Sequence, residues 1–403
     1  MTSKRKRGEE GMGEGEIVWQ TPANAPQRCD YIFHNVWINQ SSLLGRRHVR
    51  PYYFEFIAHV KNRWAGKSIV DLFTEEFKGR PYEYYIDAVK CGRIQVDGEM
   101  VPTSYIVKTS QKISHFLHRH EPPVMALEVK ILKEEADVLT VYKPASVPVH
   151  PCGQYRKNTV VGILQAEHAI HRLDRLVSGL LIIARNASKA DLFRQQIESG
   201  LVKKQYIARV VGVFPEEEQV VDVHINYNAR EGRSTAENST AIVTGLKQMV
   251  DSCKDTMAKG KAAQTKFTCI SSDGVHSIVL CEPVTGRTHQ IRVHLQYTGY
   301  PIANDALYLT KVASGRSVEK TTADRAAAIS ACSTAHDIEE DCVSARKENS
   351  SEDFSIDPMC TNCPNLAPKG YDGEEEGLWL HCVRYSGPGW IYECPYPEWA
   401  SLK

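Results

Sequence analysis

The chain has 403 residues, 42% apolar and 24% charged. That is room for two domains at ~100–200 residues each, and the composition excludes a disordered, collagen-like or coiled-coil protein. Lys plus Arg and Asp plus Glu number 49 each, but residues 306–377 carry 7 basic and 14 acidic residues, which leaves the rest of the chain at a net +7. A mildly basic body is compatible with a nucleic-acid partner without establishing one. No apolar run approaches the ~18 residues of a membrane span. The first sixteen residues lack the apolar core of a secretory signal. Twelve scattered cysteines then read as reduced thiols of an intracellular protein, in cytoplasm or nucleus, and not as a disulfide framework.

Residues 1–27 read as a flexible tail. Its basic cluster, Lys4-Arg5-Lys6-Arg7, fits a nuclear import signal and a solvated charged tail equally well. Residues 28–62 form a basic, aromatic extension in which Arg28, Arg46, Arg47, Arg50 and Lys61 alternate with Tyr31, Phe33, Trp37, Tyr52, Tyr53 and Phe54. Such a stretch suits phosphate contact with base stacking, or a structural wrap in which the rings pack.

Residues 63–125 predict a small α+β unit. Ser68 caps a helix over 69–77, a second helix spans 84–91, and Gly92 stands at its C′ position. Ile94–Val96 is a strand running into Asp97-Gly98, a hairpin signal, with a return strand expected around Tyr105–Val107. Residues 126–310 alternate strand and helix patterns. Strands are expected at 138–142, 168–173, 180–184, 202–214 and 277–281. One helix follows a capping-box-like start at Ser188, and another is capped by Thr288 and ends at Gly299. Residues 311–377 lose this periodicity and read as a disordered acidic insertion. Residues 378–403 resume the body with a last strand at 390–394.

The densest chemistry lies at Ala169-Ile-His-Arg-Leu-Asp174-Arg-Leu-Val-Ser178-Gly179. One carboxylate stands between Arg172 and Arg175, and cationic neighbours favour an ionised acid. A structural Asp–Arg pair at a turn would look the same from these residues alone. His171, His289 and His294 do not have the i, i+4 spacing of a helical zinc pair. Cys360-Thr-Asn-Cys363 reads first as unliganded thiols; the alternative is a zinc site completed by His381, Cys382 or Cys394.

"HRLDR…SGLLIIARN" resembles the catalytic motif of the RluA-type RNA pseudouridine synthases. "LTVYKPASVPVHP" at 139–151, "KKQYIARVVG" at 203–212, "EPVTGRTHQIRVHLQYTGYPIANDALY" at 282–308 and "LWLHCVRYSGPGW" at 378–390 match further family segments in order. The aromatic extension and the closing "GPGW" look most like the eukaryotic, tRNA-directed branch. Leu176-Val177 where many members have Thr before the Ser-Gly, and Asn304 where Gly is common, are departures that leave the acid untouched.

The resemblance implies an α+β fold: a mixed, largely antiparallel sheet with flanking helices and an RNA cleft, preceded by a small αL RNA-binding domain. It implies an isomerase that flips a uridine out of structured RNA, most readily tRNA, and rejoins the uracil to the ribose through carbon 5. Flipping costs a few kcal/mol. By family position Asp174 acts on the ribose, either by direct attack or by abstracting a ribose proton. Arg292 pairs with it, Arg172 enters the space left by the base, Tyr206 stacks on the uracil and Ile291 packs against it. Arg46, Arg47, Arg50, Lys90 and Arg93 are the candidate phosphate contacts. No metal or cofactor is implied, since the reaction needs neither hydrolysis nor redox chemistry, and the enzyme is expected to work as a monomer. The alternative is a catalytically silent relative that binds or folds RNA; a zinc nucleobase deaminase fails for want of an H-x-E or C-x-E triplet.

Overall fold

The computed structural model describes residues 31–38, 42–77, 80–165, 168–228, 232–237, 260–309, 354–368, 370, 371, 373 and 375–402. The expected tail and its Lys4–Arg7 cluster lie outside these residues, as does most of the acidic insertion. The described residues divide into two compact units: 50–121 with 354–368, and the remainder. The 28–62 extension is therefore split at Val49/Arg50.

In the smaller unit, Ser68 caps the helix Ile69–Glu76 by accepting the Asp71 N–H at 3.1 Å, as its position before an amphipathic run predicts. Ile69, Leu72 and Phe73 from this helix, with Tyr85 and Val89 from the helix Tyr82–Lys90, bury against Ile94 and Ile113 of the sheet. That sheet has three antiparallel strands, with Lys112–Arg119 between Tyr52–His59 and Ile94–Val96. The return strand expected around Tyr105–Val107 does not form, because Ile94–Val96 pairs with Lys112–Arg119 instead. The carbonyls of Tyr105 and Val107 serve the N–H groups of Ile69 and Gly66.

The larger unit is built on a ten-stranded mixed sheet. Its path runs Gln219–Asp222, Gln264–Ser272, His276–Pro283, Lys203–Val211, Leu380–Gly387, Ser178–Ala184, Val138–Lys143, Lys130–Glu134. All neighbours on this path are antiparallel except Ser178–Ala184 with Leu380–Gly387. Ser178–Ala184 is buried at all seven positions, as a continuous apolar run covered on both faces must be. Gly179 sits at φ +118°, where a Cβ would come within 2.3 Å of the Cys382 carbonyl oxygen. Only glycine permits that approach.

The strand expected at 168–173 shrinks to His168–Ala169. The helix Ala187–Glu198 starts at Asn186, whose side chain accepts the Lys189 N–H, and not at Ser188. The insertion reading needs correction where residues are described. Asp357 receives both terminal nitrogens of Arg93, at 2.5 and 3.0 Å, and Glu375 accepts a bidentate pair from Arg175. Among the described residues no helix is long and apolar enough to cross a membrane.

Candidate active site

The turn that carries Asp174 is held by a lysine. Lys143, fully buried, donates to the carbonyl oxygens of Pro144 (2.9 Å), Arg175 (3.0 Å) and Val177 (2.6 Å). The Val177 N–H closes the turn on the Asp174 carbonyl at 3.0 Å. Burial pushes the Lys143 ammonium down to about 7. Three acceptors match the three donors of an ammonium and offset its loss of water.

The helix Gln290–Thr298 brings the second half of the site. The Gln290 carboxamide accepts from the Arg287 N–H (2.9 Å) and Thr285 Oγ1 (2.7 Å), and donates to the Gln264 carbonyl and Thr265 Oγ1 (both 2.9 Å). These bonds tie the preceding turn to the strand Gln264–Ser272. The helix starts from His289, at φ 55°, and not from a Thr288 cap. Every residue from Gln290 to Leu295 is buried, so Arg292 requires a buried counter-charge. Asp305, 1% exposed, supplies it: Arg292 Nε and Nη2 donate to its two oxygens at 2.6 and 2.9 Å. The remaining Nη1 lies 3.4 Å from Asp174 Oδ2, on a side chain one-third exposed.

His289 stands beside the acid. The Ser234 N–H donates to Tyr308 Oη at 2.9 Å, and that hydroxyl pairs with His289 Nδ1 at 2.9 Å. The ring's Nε2 lies 3.7 Å from Asp174 Oδ2. Burial, aided by Arg292, holds the His289 imidazolium below its ordinary range, so the ring is uncharged at neutral pH.

Asp174 and exposed Arg172 stand on the wall between two cavities. One, of about 360 Å³, is lined by Leu173, Lys204, Tyr206, Ile291 and Tyr385; the other, of about 860 Å³, reaches Tyr155, Tyr227 and Glu375. Among the described residues, Asp174 is the one carboxylate that lines the smaller cavity. The Tyr206 hydroxyl pairs with that of Tyr385 at 3.0 Å. Burial holds the Tyr206 phenol well above its ordinary value, so it stays protonated. The arrangement suits a flat base between a tyrosine and an isoleucine, with its sugar against a single charged acid. Hydrolysis of a glycosidic bond asks for two acids.

Residues 137–297 match the RNA pseudouridylate synthase family. The chain is 62% identical to RNA pseudouridine synthase 7 of Oryza sativa, over 97% of each chain. The chain belongs to the RNA pseudouridine synthase family. It is 33% identical to the mitochondrial tRNA pseudouridine(32) synthase of Saccharomyces cerevisiae, over 88% of this chain and 77% of that one. It is 31% identical to the tRNA pseudouridine(31) synthase of the same yeast, over 89% and 96%. The protein is an isomerase that converts uridine to pseudouridine in RNA.

In this pseudouridine synthase, Asp174, Arg172, Tyr206, Ile291 and Arg292 converge on the smaller cavity. The candidate phosphate contacts do not gather in the same way. Arg47 is 5% exposed, donates to the Leu127 carbonyl at 2.9 Å and lies by the Tyr31 and Phe33 rings. Arg93 is held by Asp357. Burial leaves the Arg47 guanidinium little room to meet a phosphate, and the half-buried Arg93 has its terminal nitrogens engaged by an acid. Arg46 and Arg50 are half-buried and Lys90 is exposed.

Three residues that the sequence reading missed support the site. Lys143 ends an apolar strand. Asp305 is the lone acid in "PIANDALY". Asn304, read only as a departure, donates to the Gly377 carbonyl and accepts the Trp379 N–H, both at 2.9 Å, which seats the chain's return beside the site. A charged residue inside an otherwise apolar run was the available signal for the first two.

Proposed function

We propose that Asp174 carries the isomerisation, acting on the ribose of a uridine flipped out of a tRNA into the smaller cavity. The observation that carries this reading is the position of Asp174 as that cavity's single lining carboxylate among the described residues, 3.4 Å from a guanidinium whose other nitrogens are fixed by Asp305. Tyr206 and Ile291 receive the uracil, and exposed Arg172 takes the place of the departed base. tRNA as substrate is supported by the two yeast relatives whose names specify tRNA. The helix–helix–strand order of the smaller unit supports an αL-type RNA-binding role, with Lys90 at a phosphate. The enzyme works as a monomer inside the cell.

Asp174→Asn keeps the shape and removes the charge. It should lower pseudouridine formation in a tRNA substrate by roughly 10⁴ or more, with RNA binding and melting temperature near wild type. Ready turnover by this variant would sink the assignment. Pseudouridine maps of RNA from cells lacking the protein test the substrate: sites lost from rRNA with tRNA unchanged would refute the tRNA reading.

A further inference from the structure

Four metal-ligating side chains converge in the smaller unit. His118 and His120 stand two residues apart at the end of the strand Lys112–Arg119, where i, i+2 side chains share one face of a sheet. Both are buried. Cys360 and Cys363 come from the segment 354–368, which the chain folds back against that sheet's strand end. The four ligand atoms all lie within 4.8 Å of one another. Cys363 Sγ is 3.2 Å from His118 Nδ1 and 3.5 Å from His120 Nε2, and those two nitrogens are 3.2 Å apart.

A tetrahedral zinc ion with its usual bond lengths would set nitrogen–nitrogen and nitrogen–sulfur edges of about 3.3 and 3.6 Å. The three separations lie within about 0.4 Å of those edges. The surroundings are also those of a metal site. His120 turns its other nitrogen, Nδ1, to the Leu366 carbonyl at 3.3 Å, the outer contact that fixes a ligating imidazole and its tautomer. Asp357 accepts the Met359 N–H on its carboxylate and the Cys360 N–H on its carbonyl, both at 2.9 Å, and Arg93 grips that carboxylate. These bonds hold the turn that bears the first cysteine. The Phe354 ring stacks on His118 and meets His120 edge-on, and Tyr53 packs on His118.

We propose that His118, His120, Cys360 and Cys363 bind one structural zinc ion that fastens the 354–368 segment to the smaller unit's sheet. Two thiolates and two neutral imidazoles make an uncharged site with a divalent cation. Four protein ligands close the coordination shell, which marks a structural role in place of a catalytic one. Binding releases the thiol protons. This replaces the reading of Cys360 and Cys363 as unliganded thiols, and of His381, Cys382 or Cys394 as their partners. Those three residues belong to the other unit, where Ser178 Oγ and the Pro395 carbonyl already engage the His381 ring.

The full chain, purified without a polyhistidine tag from zinc-supplemented cells, should hold one zinc per chain by plasma mass spectrometry. Zinc-edge absorption spectra should fit two sulfur and two nitrogen ligands. Cys363→Ser and His120→Ala should each lose the metal, whereas Cys91→Ser, a thiol of the same unit 3.6 Å from Met359 Sδ, should keep it. If the ligand variants do not fold, the wild-type chain still decides: chelation followed by cobalt(II) should give the visible absorption of a tetrahedral cobalt–thiolate centre. A wild-type chain that carries no zinc as purified or after equilibration with zinc chloride would overturn the proposal. So would absorption spectra without sulfur ligands, or a folded Cys360→Ser/Cys363→Ser chain that keeps its full zinc content.

Discussion

Two bidentate arginine–aspartate pairs, one in each unit, use the same chemistry for different ends. Arg292–Asp305 and Arg93–Asp357 both shut their carboxylates away from water, at 1% and 0% exposed, with the arginine side chains 8% and 17% exposed. Asp357 engages both terminal nitrogens of Arg93 and, through its own backbone and carboxylate, orders the turn that follows. Asp305 takes Nε and Nη2 of Arg292 and leaves Nη1 facing Asp174. In one unit the ion pair fixes the course of the chain. In the other it fixes a cation beside a group that must react. A planar guanidinium with five donors can serve a buried acid and an exposed one at once, which an ammonium cannot do with the same geometry.

The sharpest way to break this comparison is Arg292→Met. It strands Asp305 in the interior, at about 3–5 kcal/mol, and removes the cation from Asp174. Melting temperature and pseudouridine formation should both fall, unlike Asp174→Asn, which should lower activity alone. Full activity at an unchanged melting temperature would show that Arg292 has neither role. Arg93→Met leaves Asp357 buried without its partner and should destabilise the smaller unit by a similar amount. Proteolysis within 354–368 should rise while turnover at saturating RNA changes by less than about threefold. A collapse of turnover to the level of Arg292→Met would erase the distinction between the two pairs.

Tyr206 gives a smaller effect. Tyr206→Ala removes a stacking face worth ~1–3 kcal/mol per base and should weaken catalysis accordingly. Tyr206→Phe loses only the hydroxyl's contacts with Tyr385 and Cys382, each about 0.5–1.5 kcal/mol, because a phenol held well above its ordinary value does not ionise at neutral pH. Equal activity in the wild type and both variants would remove Tyr206 from the site.

What the sequence made legible was what it wrote contiguously. Asp174 with its flanking arginines, the helix Gln290–Thr298 and the buried strand Ser178–Ala184 each declare themselves within about a dozen residues. Asn186 and Ser188 offer the same capping oxygen two residues apart, and local chemistry does not rank them. Thr288 has a capping side chain, but Gln290 ties the turn from inside the helix and the backbone turns left-handed at His289. The failed return strand near Tyr105 shows tertiary pairing overriding a local hairpin signal. Asp305 and Lys143 show in the sequence only as charges within apolar runs; their roles lie in what burial denies them, and burial is a property of the folded chain. His118 and Cys363 stand 245 residues apart, so neither a His-x-His nor a Cys-x-x-Cys names the other.

The smallest expected effects separate shape from RNA contact within the basic residues. Arg47 and Lys90 are both cations in basic stretches, yet Arg47 is buried and Lys90 is exposed at the end of its helix. Arg47→Ala removes a buried hydrogen bond and its cover of two rings, so it should lower the melting temperature and leave the salt dependence of RNA binding alone. Lys90→Ala is a surface change worth within about 0.5 kcal/mol of stability. If Lys90 meets a phosphate, its loss should reduce the slope of log affinity against log salt by up to about one, since each neutralised phosphate releases a counterion. Binding curves at three salt concentrations, set beside thermal melts, read both. An unchanged slope for Lys90→Ala would place that lysine off the RNA path, and a changed slope for Arg47→Ala at constant melting temperature would mean that its guanidinium reaches RNA after all.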